Sequence, residues 1–240
     1  MHKFRASSLS EIMTDPVSID PALLLSHDLL AVSQKKAKTN EDKLALEPLW
    51  GMSLSVGAKS CVEKIAKQIV YGYEEIVTGK YMDKGIQVED AAINLYNGVM
   101  FTNHSKNTER RTNDWITGEC DIATPSKITD IKSSWSLATF PVTASQGRDK
   151  GYEWQLRAYM MLWDVNEAEL AYCLIDTPEE LIGWDDASLH SVGHIAPELR
   201  VTLVQYRRDM ALEEKIKRKC EAANKYLASV MQQIADEHAF

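Results

Sequence analysis

Residues 118–132 read Gly-Glu-Cys-Asp-Ile-Ala-Thr-Pro-Ser-Lys-Ile-Thr-Asp-Ile-Lys, and this stretch restricts what the 240-residue chain can fold into more tightly than any other. Two runs of alternating apolar and polar residues flank Ala123-Thr124-Pro125-Ser126, whose residue types favour a turn. A hairpin centred on Pro125-Ser126 sets Asp121 opposite Asp130, with Cβ atoms about 4.5–5.5 Å apart, and sets Glu119 opposite Lys132. Lys132 lies two residues beyond Asp130 and shares its face of the strand. Carboxylates that close repel, and in a half-buried sheet one of them should hold a proton. A divalent cation removes that cost. Mg²⁺ takes oxygen ligands at about 2.0–2.1 Å, usually one or two carboxylates, waters and a phosphate oxygen.

A cation, carboxylates and an ammonium on one spot suit metal-assisted hydrolysis of a phosphodiester. The metal polarises the phosphoryl group and lowers the pKa of a bound water. A lysine beside it can orient or deprotonate that water, or stabilise charge developing on the phosphate. Asp130-Ile131-Lys132 alone is a weak signal, since about one Asp-x-Lys is expected by chance in a chain this long. Glu119 with Lys132 reads equally well as an ordinary cross-strand ion pair. The case strengthens because both aspartates lie between apolar residues, where a charge is costly without a purpose.

Two helical patterns add candidates. Glu89 sits one turn from Ala92 and Ile93, where a carboxylate can lean over the strands as a third acid; with Asp90 beside it, a solvent-facing Glu is the plainer alternative. Gln155 and Tyr159 stand four apart on one helix face, placed to hold a strand residue or a phosphate, unless Tyr159 is simply core. Trp154, Trp163 and Trp184 read as core or as base-stacking platforms.

Around this centre the pattern predicts mostly helix in the first half of the chain. The expected helices are a short one from Ser8 or Ser10 through Met13, one over 22–31 after Asp20-Pro21, and one over 53–73. A loop is expected over 35–42, and a further helix over 80–96 that ends at Asn97-Gly98. Short strands over 99–102 and 110–113 follow, then the hairpin strands 114–122 and 127–133. A helix over 150–163, a strand over 169–175, a short helix over 178–182, a strand over 199–206 and a long charged helix over 209–234 complete the chain. This order is that of an α+β (mixed α/β) domain, a central mixed sheet flanked by helices, with an N-terminal helical region and a long C-terminal helix.

The 27 basic and 35 acidic residues leave a net charge of −8, which by itself argues against a phosphate-backbone partner. The objection is partial, because a metal-dependent hydrolase must carry a knot of carboxylates, and basic clusters occur at Lys35-Lys36, Arg110-Arg111, Arg207-Arg208 and 215–219. No apolar run approaches the roughly 18 residues of a membrane span. The start Met1-His2-Lys3-Phe4-Arg5 has no signal-peptide pattern, and Cys61, Cys120, Cys173 and Cys220 form no Cys-x-x-Cys pair. Free thiols in a reducing cytoplasm are expected. His190 and His194 have zinc-helix spacing, but Gly193 interrupts the helix and no third ligand is evident.

In order along the chain, Gly85-x-x-x-Glu89, Gly118-x-x-Asp121, Asp130-x-Lys132 and Gln155-x-x-x-Tyr159 resemble the motifs of the PD-(D/E)XK nuclease superfamily. More narrowly they resemble its RecB-type and lambda-exonuclease-like branch, including the YqaJ-like phage recombination exonucleases. The phrases ITDIKSSWSLATFP, YEWQLRAYMML and AYCLIDTPEELI are similar to phage members of that group. The motifs span 85–159, and a looser likeness covers most of the chain.

The resemblance implies a restriction-endonuclease-like core with the active site at one splayed edge of the sheet. It implies a single nuclease domain over 1–240, with a helical part at 1–78, the catalytic core at 79–206 and a C-terminal helix at 207–240. Asp121, Asp130 and the main-chain carbonyl of Ile131 would hold Mg²⁺ or Mn²⁺, Glu89 would be an additional acid, and Lys132 the catalytic lysine. Gln155, with Tyr159, would stand near the site. Arg5 and Ser8, in Phe4-Arg5-Ala6-Ser7-Ser8, would help hold a 5′-phosphate. The implied activity is exonuclease digestion of double-stranded DNA ends, 5′→3′, in the cytoplasm of a bacterial host. A homo-oligomer (a trimer) and a single-strand annealing protein as partner are implied by the resemblance alone. Cys120 stands where the family name expects Pro, and a cluster-binding set of C-terminal cysteines is lacking. Two other readings stay open: a structure-specific or nicking endonuclease on the same fold, and a non-catalytic DNA-binding or assembly protein.

Overall fold

Thr39, Ser55, Asp149 and Asp209 each place a side-chain oxygen on an N–H of the turn that follows, and four helices begin there. Thr39 does so reciprocally, its own N–H donating to Asp42. The computed structural model describes residues 1–76 and 78–238. In chain order it contains β1 (Phe4–Arg5), α1 (Ser10–Met13), α2 (His27–Gln34), α3 (Asn40–Met52), α4 (Val56–Tyr71), α5 (Lys80–Gln87) and α6 (Glu89–Met100). Then follow β2 (Arg111–Thr112), β3 (Ile116–Gly118), β4 (Ile122–Ala123), β5 (Lys127–Ser133), α7 (Lys150–Trp163), β6 (Glu167–Cys173), α8 (Glu179–Ile182), β7 (Val201–Arg207) and α9 (Met210–Glu237).

These elements form two units. The first comprises residues 1–75, Thr112–Ile116 and the chain from Asp209 onward. In it α4 lies along α9, and α1 packs on both. Leu9, Ile12, Val62, Ala66, Ile216, Cys220 and Ala223 are buried there, the i, i+3/i+4 stripes of amphipathic helices. Lys219 is also buried, and its amine donates to the Ser53 carbonyl at 2.7 Å.

The second unit holds a four-stranded sheet of order β4-β5-β6-β7. β5 and β6 run parallel, joined through α7, while the flanking pairs are antiparallel. α7 packs against β5 and β6, as does α6, which also meets β7. Ala92, Ile93, Tyr96, Ile122, Ile131, Ala171 and Cys173 form the core beneath α6. A buried Glu169 lies in this unit, held by Lys127 at 3.0 Å and by the Tyr96 hydroxyl at 2.8 Å. Among the described residues no helix is long and apolar enough to cross a membrane.

The mixed α+β class, the flanked sheet and the long C-terminal helix are as the sequence pattern indicates, but several boundaries differ. The strand expected over 114–122 is broken at Glu119-Cys120-Asp121 into β3 and β4. There the Asn107 N–H donates to the Asp121 carbonyl at 2.7 Å and its amide donates to the Cys120 carbonyl at 3.0 Å, so a loop residue takes the ladder's place. Residues 99 and 100, expected in a strand, end α6, and Phe101 caps it in the left-handed region (φ 53°). Asn97 does not stop the helix; its side chain accepts from His104 N–H and Thr102 and stabilises the turn beyond. The helix expected over 80–96 is two, divided at Val88. In place of one over 22–31, a single 3₁₀ turn at Pro21–Leu23 precedes Ser26-capped α2. The 35–42 loop is shortened by the Thr39 cap.

Candidate active site

β5 alternates faces as a strand must, so Ile131 enters the core under α6 while Asp130 and Lys132 project toward α7. Asp130 is 2% exposed. Gln155 of α7 donates its amide to Asp130 Oδ1 at 3.1 Å and to the Tyr159 hydroxyl at 2.9 Å. Lys132 Nζ lies 2.7 Å from Asp130 Oδ2, and its ammonium sits over the Tyr152 ring at 5.0 Å. That close ion pair gives the buried Oδ2 its positive partner.

Asp121 precedes β4 by one residue. The pairs Ile122↔Thr129 and Ala123↔Ile128 have the register that, continued by one step, brings Asp121 opposite Asp130. The strand breaks there, and Asp121 Oδ2 instead accepts the Ile131 N–H at 2.5 Å. Burial, and then the charge of Asp130, push the Asp121 carboxyl up to about 7, Glu89 adding to the effect while Lys132 and the Ile131 N–H oppose it. Burial also pulls on Lys132, but the Asp130 and Asp121 charges outweigh it and hold its ammonium above the ordinary lysine range. The result is an Asp121 carboxyl that resists ionising beside Asp130, with the Lys132 cation next to both.

No family model and no curated protein matches the chain. Among solved structures, a phage-related exonuclease from Haemophilus somnus 129PT is 33% identical, covers 97% of this chain and 96% of its own, and superposes with a TM-score of 0.79. The chain belongs to the phage-related exonucleases. The alkaline exonuclease LHK-Exo from Laribacter hongkongensis shares the fold at 13% identity, with a TM-score of 0.58 over 99% of this chain and 93% of that one. LHK-Exo in complex with dAMP matches equally, at 14% identity and 0.58. The kinship makes the chain a nuclease and is consistent with the lambda-exonuclease-like, PD-(D/E)XK type.

In this chain, Asp121, Ile131 and Lys132 line an open cleft of about 620 Å³, together with Glu89, Trp135 and Tyr152. Glu89 opens α6 and is paired with Lys106. Glu119 pairs with Arg110 at 3.3 Å, not with Lys132, because the break at Cys120 ends the ladder before their register is reached. Gln155 and Tyr159 are both buried, so they hold the strand aspartate and present no polar group to solvent. Arg5 and Ser8 belong to the first unit. Arg5 pairs with Glu74 at 2.7 Å, and the Ser8 hydroxyl donates to the Arg5 carbonyl at 3.4 Å. His190 is buried, bonded through Nδ1 to Thr177 at 2.8 Å and edge-on to Trp135 at 5.1 Å, in keeping with a packing role.

Three residues in or beside the cleft are not among the candidates read from the sequence. Lys84 of α5 is 1% exposed and donates to the carbonyls of Ser134 (2.6 Å), Trp135 (2.9 Å) and Ile175 (2.9 Å), tying the ends of β5 and β6 together. Burial lowers its amine to about 8, so at neutral pH it is still an ammonium with three hydrogens for three acceptors. Trp135 is held by Asp185 on its Nε1 at 3.1 Å and by Lys80 over its ring at 4.6 Å. Lys106 is the third. Neither lysine falls in a motif, because its partners are distant in sequence.

The donor set fits a hard divalent cation. Among the described residues, no three His, Cys, Asp or Glu side chains form a closed metal cage. Asp121 and Asp130, held by the Ile131 N–H and by Lys132, are oxygen donors of the kind such a cation takes in sparse sites that it shares with water.

Proposed function

We propose that this chain is a Mg²⁺- or Mn²⁺-dependent exonuclease that hydrolyses phosphodiester bonds of linear duplex DNA from its ends, in the 5′→3′ direction, in phage-type recombination. The observation that carries the reading is the joint placement of Asp121 and Lys132 at the wall of an open cleft with Asp130 buried directly behind them, Asp130 ion-paired with Lys132 at 2.7 Å and Asp121 bonded to the Ile131 N–H. Asp121, Asp130 and the Ile131 carbonyl are the proposed cation ligands, with Glu89 as the additional acid. When bound, the cation supplies charge for the phosphoryl oxygens and acidifies a water.

The chain's own groups do the rest. Lys132, kept protonated by its two aspartates, donates to the attacking water or to the phosphate rather than abstracting a proton at neutral pH. Gln155 sets the orientation of Asp130, and Tyr159 in turn orients the Gln155 amide. Tyr152 and Trp135 give the cleft aromatic walls suited to a nucleotide. Arg5 and Ser8 are the proposed 5′-phosphate contacts, which requires Arg5 to leave Glu74. A trimeric assembly and a single-strand annealing partner belong to the same proposal, as does a single nuclease domain over 1–240.

End-labelled linear duplexes with and without a 5′-phosphate, alongside closed circles, in Mg²⁺ and in EDTA, test the proposal. Mononucleotide release from 5′-phosphorylated linear ends, absent in EDTA and with circles intact, is expected. Cutting of circles would make the chain an endonuclease, and no Mg²⁺-dependent cutting of either substrate would overturn the site.

A further inference from the structure

Lys106 lies on the segment between α6 and β2, outside every motif of the site, and the fold delivers it to the acids firmly. Two residues before it, the His104 N–H donates to Asn97 Oδ1 at 3.0 Å and the His104 carbonyl accepts from the Asn97 amide at 2.9 Å. Immediately after it, Asn107 bonds through its N–H to the Asp121 carbonyl (2.7 Å) and through its amide to the carbonyls of Cys120 and Glu109 (both 3.0 Å). The same residue that breaks the β3–β4 ladder thus holds Lys106 beside the site. Its ammonium pairs with Glu89, and Asp121 and Glu119 add their negative charge there. Its side chain is 41% exposed, so it is free to move at its tip.

The cluster's charges are uneven. Asp121, Asp130 and Glu89 are three acids against Lys132 and Lys106. A divalent cation arriving at the aspartates attracts Glu89 and repels the nearby ammonium. Resting on the proposed function, we propose that Lys106 is a second lysine of the active site: it neutralises Glu89 while the cation is absent, and contacts a phosphate of the DNA strand in the cleft once the cation takes over Glu89. It balances charge and contacts substrate, while the proton transfers are left to other groups.

Two measurements on the intact chain test this without relying on turnover. Calorimetric titration with Mn²⁺ alone compares wild type, Lys106→Met and Lys106→Arg. Lys106→Met is expected to bind Mn²⁺ about tenfold more tightly, because a competing cation is gone. Affinity for a 20-bp duplex is then measured against salt in Ca²⁺, with gels confirming that the DNA is uncut. Lys106→Met is expected to lower the salt slope by about one, the signature of one lost phosphate contact, and Lys106→Arg to keep it. Unchanged Mn²⁺ affinity or an unchanged slope in Lys106→Met overturns the inference. If the wild-type protein binds no Mn²⁺, the proposed function itself fails, and that outcome is separate from the first.

Discussion

Gln155 spans from α7 to β5 and donates its amide to Asp130 Oδ1 at 3.1 Å, with the second amide hydrogen on Tyr159 Oη at 2.9 Å. A buried carboxylate is thereby held at one oxygen by a neutral donor and at the other by the Lys132 ammonium. The helix sets the direction in which Asp130 points.

Replacing Gln155 by Leu should therefore act on orientation. Losing a donor to a buried carboxylate costs about 1–3 kcal/mol of stability, and losing a group that orients a ligand costs about 10–100-fold in activity or metal affinity. Urea melts and Mn²⁺ titration of the variant check both. Wild-type metal affinity in Gln155→Leu would show that Asp130 needs no such guide. Gln155→Glu, which adds a charge beside Asp130, should be worse on both measures.

Asp121 sets a pH dependence of stability. Its folded-state carboxyl titrates near 7, above the ordinary carboxylate range, so the folded protein binds this proton more tightly than the unfolded chain does. The metal-free protein should therefore gain stability as pH falls from about 8 toward 5, and Asp121→Asn should flatten that part of the profile. Mn²⁺ must displace the same proton, so its stabilising shift in Tm should be larger at pH 8 than at pH 6. Equal shifts at the two values would contradict the assignment. The measurement is thermal melting with and without metal.

Lys132→Met leaves Asp130 Oδ2 buried without its counter-ion. Breaking a buried pair from one side costs about 3–5 kcal/mol; Lys132 is 26% exposed, so about 2–3 kcal/mol is expected here. Cutting should be lost. Part of the lost stability should return on adding Mn²⁺, which replaces the missing positive charge. Denaturant unfolding with and without Mn²⁺ measures this, and a variant as stable as wild type in EDTA would show that the ion pair is dispensable to folding.

Lys84→Met removes three hydrogen bonds at once, taking the Lys84 donor from the carbonyls of Ser134 and Ile175 and leaving that of Trp135 with the Thr177 hydroxyl alone. A loss of about 3 kcal/mol is expected, at the upper end for a buried polar deletion. Because Ser134 and Trp135 line the cleft, the effect on turnover should appear as a raised KM more than a lowered kcat. Steady-state kinetics on linear duplex separates the two.

Sequence alone determined what depends on near neighbours. The period-two alternation and the Pro125-Ser126 turn set a register in which Ile122 meets Thr129, which brings Asp121 to the neighbourhood of Asp130 although the ladder stops one step short of pairing them. Helical spacing likewise put Gln155 and Tyr159 on one face, and Asp209 marked the start of α9. Tertiary structure decided the rest. Whether Glu119 meets Lys132 or Arg110 depended on Asn107 interrupting the ladder. Lys106 found Glu89 across 17 residues of chain, and Lys84 found its carbonyls across 50, 51 and 91. Such partners are chosen by which groups packing leaves buried and unpaired, a property of the folded whole that no window of sequence contains.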